Sequence, residues 1–459
     1  MKKISLSLLA IVSIYAQTIE IEKSGWSLLG ATENIDLTKI EIDCVDSIYK
    51  YSKKWFEYPD KSEIEDMTTI EMAKGFWLKA NSSCQIDTNI SNKESETLSS
   101  DMENLKNQVK TIIESATSKG VVGVQVSMRN DSENFTLSSG YSNLESKIEL
   151  KNSDLFRADS NTKSMVGLIS AILHSEKVID LDKSIDTYLP SNYKDSDLIN
   201  KLPNTNVITQ RDLLTHTSGL PDYVSNGFTE YSEKNPNHNW SDYEAIKYIF
   251  NEPLVFETGS KYEYSNSGYL LAGIVLDSAL GKDYASAFRE KVIEPLGLSS
   301  TFYQNRSGEE ISGNLVNMYI KSDSSKEFKN NSNVNTGWGL SDGGVVTNAS
   351  DLATYIQALG TLDKKIFNDT SAKEYFTPSK HEESYCLGID RYSEDDGSFT
   401  VTHTGSWNHS TSKMVYNSGN KYALAYMVNM NVSDENSGDE IDLAFKEMLN
   451  ALDNLFNNL

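Results

Sequence analysis

Cysteine is nearly missing from this chain, with three in 459 residues, which excludes a disulfide scaffold. Cys44 and Cys84 both lie early and can pair in an oxidising compartment, while Cys386 is left over and reads as a small core residue. Histidine is sparse too. The six present form no metal-ligand spacing such as His-Glu-x-x-His, so no metal and no cofactor is expected. Basic residues are outnumbered, 42 Lys and Arg against 66 Asp and Glu, for a formal charge of −24. Such a surface repels nucleic acid and anionic lipid and keeps a protein in solution. Beyond the first residues no apolar run approaches the roughly 20 needed to span a bilayer.

The start of the chain has the build of a secretory signal. In MKKISLSLLAIVSIYAQ, Lys2 and Lys3 carry charge, Ile4 to Ile14 form an apolar stretch, and Ala16 is a small residue for cleavage. The expectation is a signal peptide over residues 1–16 and an exported protein, periplasmic or extracellular. No cysteine sits near the cleavage point to suggest a lipid anchor.

Residues 17–87 read as a small β domain. GWSLLG, SIYKYSKKWFEY and KGFWLKANSSC are short alternating segments separated by polar turns. Trp26, Trp55 and Trp77 fall here and read as core filling. Such a domain suits targeting or interaction with a partner the sequence does not name. Residues 88–101 have almost no apolar content and read as a solvated linker. From 102 to 459 the pattern is α+β. An amphipathic helix over 102–116 precedes strands at 121–129 and 135–143, helical patterns then dominate to about residue 360, and strands return at 399–405, 412–417 and 421–430. A helix over about 439–456 closes the chain. One antiparallel sheet with strands from both ends, flanked by helices and carrying a helical subdomain, fits this order.

Three constellations carry chemistry. In FRADSNTKSMVGLISAIL, Ser160 and Lys163 stand three apart where a polar loop meets an apolar helix. Residues i and i+3 share a helix face, so the lysine can reach the hydroxyl. Burial and the positive end of a helix both disfavour the ammonium form, and an uncharged lysine is a general base beside a nucleophile. Backbone N–H groups at the helix start can hold an oxyanion. A plain N-cap explains Ser160 equally well, and Ser-x-x-Lys occurs five times in the chain. KYEYSNSGYLL sets Tyr264 and Asn266 two apart, pointing the same way if extended: a proton relay and a substrate-orienting amide. TVTHTGSWNHS ends a strand pattern with His403, Thr404 and Gly405, where the histidine can meet a carboxylate and the glycine admits a ligand to the backbone.

Taken in order, Ser160-Asn161-Thr162-Lys163, Tyr264-Ser265-Asn266 and His403-Thr404-Gly405 resemble the motifs of serine hydrolases that include class C β-lactamases, D-alanyl-D-alanine carboxypeptidases and related esterases. RDLLTHTSGLPDY (211–223) and GWGLSDGGVVTNASDLATYIQAL (337–359) are similar to the same family. The resemblance implies a β-lactamase/transpeptidase-like domain in which Ser160 is acylated, Lys163 activates it and Tyr264 shuttles the proton. It further implies that Asn266 holds the substrate amide and that the N–H groups of Ser160 and Ser406 form the oxyanion hole, with His403, Thr404 and Gly405 binding substrate. His-Thr-Gly stands where class C β-lactamases have Lys-Thr-Gly, and resembles instead the D-alanyl carboxypeptidases and D-stereospecific peptidases. A histidine is only partly charged at neutral pH, so a second cation is wanted to hold a carboxylate. Arg391 lies upstream with Asp390 beside it; a surface position for Arg391 is the simpler reading.

The expected function is therefore an exported serine hydrolase acting through acyl-Ser160 on a small-molecule or peptide substrate of cell-wall type. A D-amino-acid peptide ranks first, an ester second and a β-lactam third. Two other classes compete: a non-catalytic relative that binds peptidoglycan or protein, and an α/β-hydrolase using Ser341 in GLSDG. The latter requires a strand before the motif and a helix directly after.

Overall fold

The computed structural model describes residues 98–459, apart from 190–196, 226, 307, 322–326, 408 and 433–438 and the side chains of 197, 199 and 225, together with the backbone of eight strands before residue 88. Residues 1–16, residues 88–97, and the side chains of Cys44, Cys84, Trp26, Trp55 and Trp77 lie outside the described residues. Two compact units divide between Ser99 and Ser100.

In the first unit, Gly25–Gly30, Gly75–Ala80, Val45–Ser52 and Lys54–Tyr58 form a four-stranded antiparallel sheet in that order. Two short antiparallel pairs accompany it, Thr18–Ile21 with Cys84–Asp87 and Ile35–Asp36 with Thr69–Ile70.

The second unit is built on a seven-stranded antiparallel sheet. Its order is Ile148–Glu149, Asn134–Asn143, Gly123–Arg129, Ala423–Val428, Ser410–Asn417, Phe399–Trp407, Asp390–Ser393. The two ends of the unit meet in its centre, where Val126 pairs with Tyr426. Ser100–Ser118 is helical because Met102, Leu105, Val109, Ile113 and Ala116 recur at three- and four-residue spacing, and all five are buried. It packs on the strands Gly123–Arg129 and Asn134–Asn143 and against the closing helix Glu440–Asn457. Each such buried aliphatic side chain stabilises the fold by about 1.5–3 kcal/mol. Ala349–Gly360 packs across the strands as well, with Gln125 Oε1 accepting from the Ala349 N–H at 2.6 Å. Ala423, Ala425 and Met427 join its core.

Residues between these strands form the helical subdomain. Its centre is Thr162–Ser175, in which every residue from Thr162 to Leu173 is buried, packed against Asn266–Leu280 and Asp369–Tyr375. Capping boxes at Thr209 and Ser241 start two short helices, each side chain bonding the amide three residues on. Cys386 is buried and unpaired, and burial pushes its thiol up to about 12, as suits a core residue.

Candidate active site

Ser160 sits on a tight bend between sheet and helix. The strand Phe156–Arg157 pairs with Val345–Thr347 and leads into a 3₁₀ turn over Asp159–Asn161, directly before the helix Thr162–Ser175. Asp159 adopts φ 47°, uncommon outside glycine, and its carboxylate is anchored by Ser410 Oγ at 2.7 Å. The helix N-cap is Asn161, without a side-chain capping bond, so the plain N-cap reading of Ser160 does not hold. Its Oγ instead lies 3.0 Å from Lys163 Nζ and accepts from Tyr264 Oη at 3.1 Å.

Lys163 is fully buried beneath the serine. Its Nζ donates to the carbonyl oxygen of Asp342 at 2.8 Å and faces the rings of Tyr264 and Tyr269 at 5.1 and 5.5 Å. The Asp342 carboxyl accepts from Tyr223 Oη at 3.0 Å, and burial pushes it up to about 6.

Tyr264 reaches the serine from the chain entering the helix Asn266–Leu280, and Asn266, the first residue of that helix, lines the same cleft. Tyr264 is 41% exposed, and its ring stacks at 4.3 Å on His216. His216 is itself held: its Nδ1 accepts from the Ser265 N–H at 3.1 Å, and its Nε2 meets Tyr385 Oη at 2.9 Å. Burial drives its pKa well below the ordinary value, so it is a neutral strut. Asp222 Oδ2 accepts from both the N–H and Nδ2 of Asn266, at 3.0 and 2.9 Å, and thereby orients the amide.

The third motif lies on the strand Phe399–Trp407. The Ser418 N–H donates to Phe399 O, so odd-numbered residues turn their main-chain groups toward Ser410–Asn417. Even-numbered Thr404 and Ser406 turn theirs to the other edge, where Asp390–Ser393 pairs only as far as Thr402. The Ser406 N–H therefore faces an open sheet edge beside the cleft.

Two expectations for this motif change. His403 is buried, with its Nδ1 2.7 Å from Thr404 O, and burial followed by the charge of Lys163 lowers its pKa to about 3. It is uncharged at neutral pH rather than partly charged. Gly405 does not open the backbone to a ligand: a Cβ there would stand 2.3 Å from Ala158 O and 3.0 Å from Asp159 Cβ. Its lack of a side chain lets the serine turn dock on the strand.

A cleft of about 150 Å³ opens over these groups. Ser160, Tyr264, Asn266 and Ser406 line it; Lys163, His403 and Gly405 are buried behind them, and Thr404 is exposed. Arg157, Trp338 and Trp407 also line it, and sequence reading alone did not single them out. Arg157 was nonetheless adjacent to the serine motif, and Trp338 lies in the 337–359 stretch. Arg391 is half-buried, stacks on Phe399 at 4.5 Å and is not among the residues lining the cleft. Ser341 is buried, its Oγ donating to Asp242 Oδ2 at 2.6 Å, and the strand Val345–Thr347 rather than a helix follows it, which removes the α/β-hydrolase reading. No group of three or more His, Cys, Asp or Glu side chains among the described residues is arranged to hold a metal, and none of their helices is long and apolar enough to cross a membrane.

Residues 105–447 match the sequence model of the family described as Beta-lactamase. Penicillin-binding protein 4* of Bacillus subtilis (strain 168) is 26% identical over 304 residues, covering 63% of this chain and 64% of that protein. Protein flp of Staphylococcus aureus (strain MRSA252) is 23% identical over 331 residues, 71% of this chain and 63% of its own length. The chain thus spans just under two thirds of the length of these curated relatives. Among solved structures, D-amino acid amidase from Ochrobactrum anthropi SV3 superposes with a TM-score of 0.62 at 24% identity, covering 76% of this chain and 99% of that one. D-stereospecific amidohydrolase from Streptomyces sp. gives 0.60 at 22%, covering 73% and 96%. These likenesses bear out the antiparallel sheet with a helical subdomain as the fold.

Proposed function

The chain belongs to the beta-lactamase family, and from that premise we propose that it is an exported serine hydrolase that cleaves the amide bond of a D-amino-acid peptide of cell-wall type through an acyl-enzyme on Ser160. One observation carries this reading: Ser160 Oγ lies between Lys163 Nζ at 3.0 Å and Tyr264 Oη at 3.1 Å. Base and proton relay are then both within hydrogen-bond reach of the nucleophile.

In this reading Ser160 Oγ attacks the substrate carbonyl and its proton passes to the lone pair of Lys163 Nζ, the lysine reacting in its unprotonated form. The N–H groups of Ser160 and Ser406 receive the developing oxyanion. Tyr264 Oη delivers a proton to the leaving nitrogen and regains one from Lys163, and Asn266, fixed by Asp222, holds the substrate amide. Water, deprotonated by the same pair, then releases the acyl group. Export rests on the signal-like residues 1–16. The names of the amidase and amidohydrolase neighbours favour D-configured amides.

A simple ester, and after it a β-lactam, is the second reading; the uncharged state of His403, which withdraws one expected grip on a free carboxylate, favours the ester. A panel decides between them: a peptide ending in D-alanyl-D-alanine, its L,L counterpart, a 4-nitrophenyl ester and a penicillin. Release of D-alanine with at least tenfold preference over the L,L peptide supports the peptidase reading. Turnover of the ester or the penicillin alone supports the second. No turnover and no acylation by any of them returns the non-catalytic binder.

A further inference from the structure

Ser406 brings its N–H to the cleft on a strand that is paired on one edge only. The strand Phe399–Trp407 keeps its hairpin partner Ser410–Asn417 along its whole length, but Asp390–Ser393 leaves it at Thr402. Oxyanion donors are effective because their direction is fixed before the charge develops. The strand end therefore needs a further hold.

Asn431 supplies one. Its Nδ2 donates to Ser406 Oγ at 2.9 Å and to Trp407 O at 2.7 Å, while its Oδ1 accepts from the Val432 N–H at 2.9 Å. A carbonyl oxygen only accepts and a backbone N–H only donates, so the amide has one workable orientation. The two acceptors belong to consecutive residues, and between them they grip the peptide link that follows Ser406. Asn431 is itself anchored. Met430–Asn431 pairs in parallel with Tyr319 and Ile320, and the Tyr319 N–H donates to Asn429 O at 3.0 Å. Asn429 is fully buried and donates from Nδ2 to Tyr141 O and Asn317 O at 3.0 and 2.9 Å. The tether thus runs from a separate three-stranded sheet to the strand end at the cleft. Asn431 is not among the residues that line the cleft.

We infer that Asn431 is a positioning residue for the oxyanion hole: it holds the Ser406–Trp407 link so that the Ser406 N–H points where the substrate oxygen becomes negative. This deepens the hydrolase reading and rests on it. Gly405 docks the same strand on the serine turn, so the glycine governs the separation of the two N–H groups and Asn431 the direction of one of them.

Stopped-flow acylation by 4-nitrophenyl acetate, run to saturation, separates the limiting rate from ground-state binding. In Asn431→Ala the limiting rate is expected to fall at least about tenfold, while the half-saturating concentration moves by less than about twofold, because the hole is used chiefly in the tetrahedral state. Phenylboronic acid, whose tetrahedral adduct on serine sets an oxygen in the hole, should lose affinity by a similar factor. Asn431→Asp keeps the size, removes both donated hydrogens and should slow acylation at least as much. An unchanged limiting rate, a loss confined to the half-saturating concentration, or unaltered boronate affinity overturns the inference. If neither variant folds, Ser406→Ala removes one of the two acceptors and leaves Asn431 in place; it should slow acylation about threefold, and an unchanged rate there overturns the inference too. Neither acylation nor boronate binding in the unsubstituted protein is failure of the hydrolase reading itself, whereas normal acylation with insensitive variants is failure of the positioning role alone.

Discussion

Gly405 and Ala158 approach so closely that a Cβ on the glycine would stand 2.3 Å from the Ala158 carbonyl oxygen. That contact joins the strand bearing Ser406 to the turn bearing Ser160, and so sets the distance between the two N–H groups assigned to the oxyanion. Gly405→Ala must push them apart. A displacement near 1 Å at a reacting centre costs on the order of 10²-fold in rate. The expected outcome is a loss of about that size in acylation rate, measured with a 4-nitrophenyl ester, in a protein whose far-ultraviolet circular dichroism is unchanged.

Tyr264 contributes a proton path rather than packing. Its side chain is 41% exposed and its Oη donates to Ser160 Oγ. Tyr264→Phe keeps the ring on His216 and deletes the hydroxyl. Acylation should fall by about 10²–10⁴-fold, the range for general acid–base groups, while Tm moves by no more than a degree or two. Stopped-flow acylation paired with a thermal melt checks both halves.

Asp222 acts through Asn266. With both donors of Asn266 converging on Asp222 Oδ2, Asp222→Ala frees the amide to rotate. Loss of a charged hydrogen bond of this kind is worth about 1.5–3 kcal/mol. For a peptide substrate that corresponds to roughly a tenfold to hundredfold fall in kcat/KM. A 4-nitrophenyl acetate control, which offers no amide to hold, should lose much less; equal losses would assign Asp222 a purely structural part.

Arg306 holds the loop below the site. It donates to Asp242 at 2.6 Å, Asp277 at 2.8 Å and Asp283 at 2.9 Å, and Asp242 in turn accepts from the Ser341 N–H at 2.8 Å, one residue before the carbonyl that receives Lys163. Arg306→Met leaves buried carboxylates without their cation. Breaking such a buried network costs about 3–5 kcal/mol, to be read from the urea midpoint and m value.

His409 gives the fold a pH dependence with a definite sign. Burial, then the charge of Arg157, lowers its pKa to about 3 from an ordinary 6.5. Between those values the unfolded chain binds a proton that the folded one does not, so stability falls as pH drops below 6.5 and keeps falling toward 3. Relative to His409→Phe, which cannot titrate, the unsubstituted protein should lose about 2 kcal/mol between pH 7 and pH 5. Paired urea melts at the two pH values measure it.

Much of the site was legible because its chemistry is local. Ser160 and Lys163 are three apart at one helix start, and Tyr264 and Asn266 two apart at another, so spacing offered each pair as a candidate and the order of the three motifs singled them out. The sheet drawing strands from both ends was legible too, from the separation of its strand patterns. What escaped was set by contacts distant in sequence. Arg157 reads as an ordinary strand residue until Trp338 and Gln304 fold against it. The neutral state of His403 depends on its burial near Lys163, 240 positions away. Gly405 could be assigned a role from its motif, but not its partner, since Ala158 lies far upstream.

The central claim is that Ser160 forms a covalent acyl-enzyme. Intact-mass analysis of the purified protein after incubation with a penicillin, followed by peptide mapping, tests it most directly. The account predicts one added penicilloyl mass, mapped to the peptide containing Ser160 and absent from Ser160→Ala. An adduct on another residue, or an adduct that survives Ser160→Ala, would contradict it.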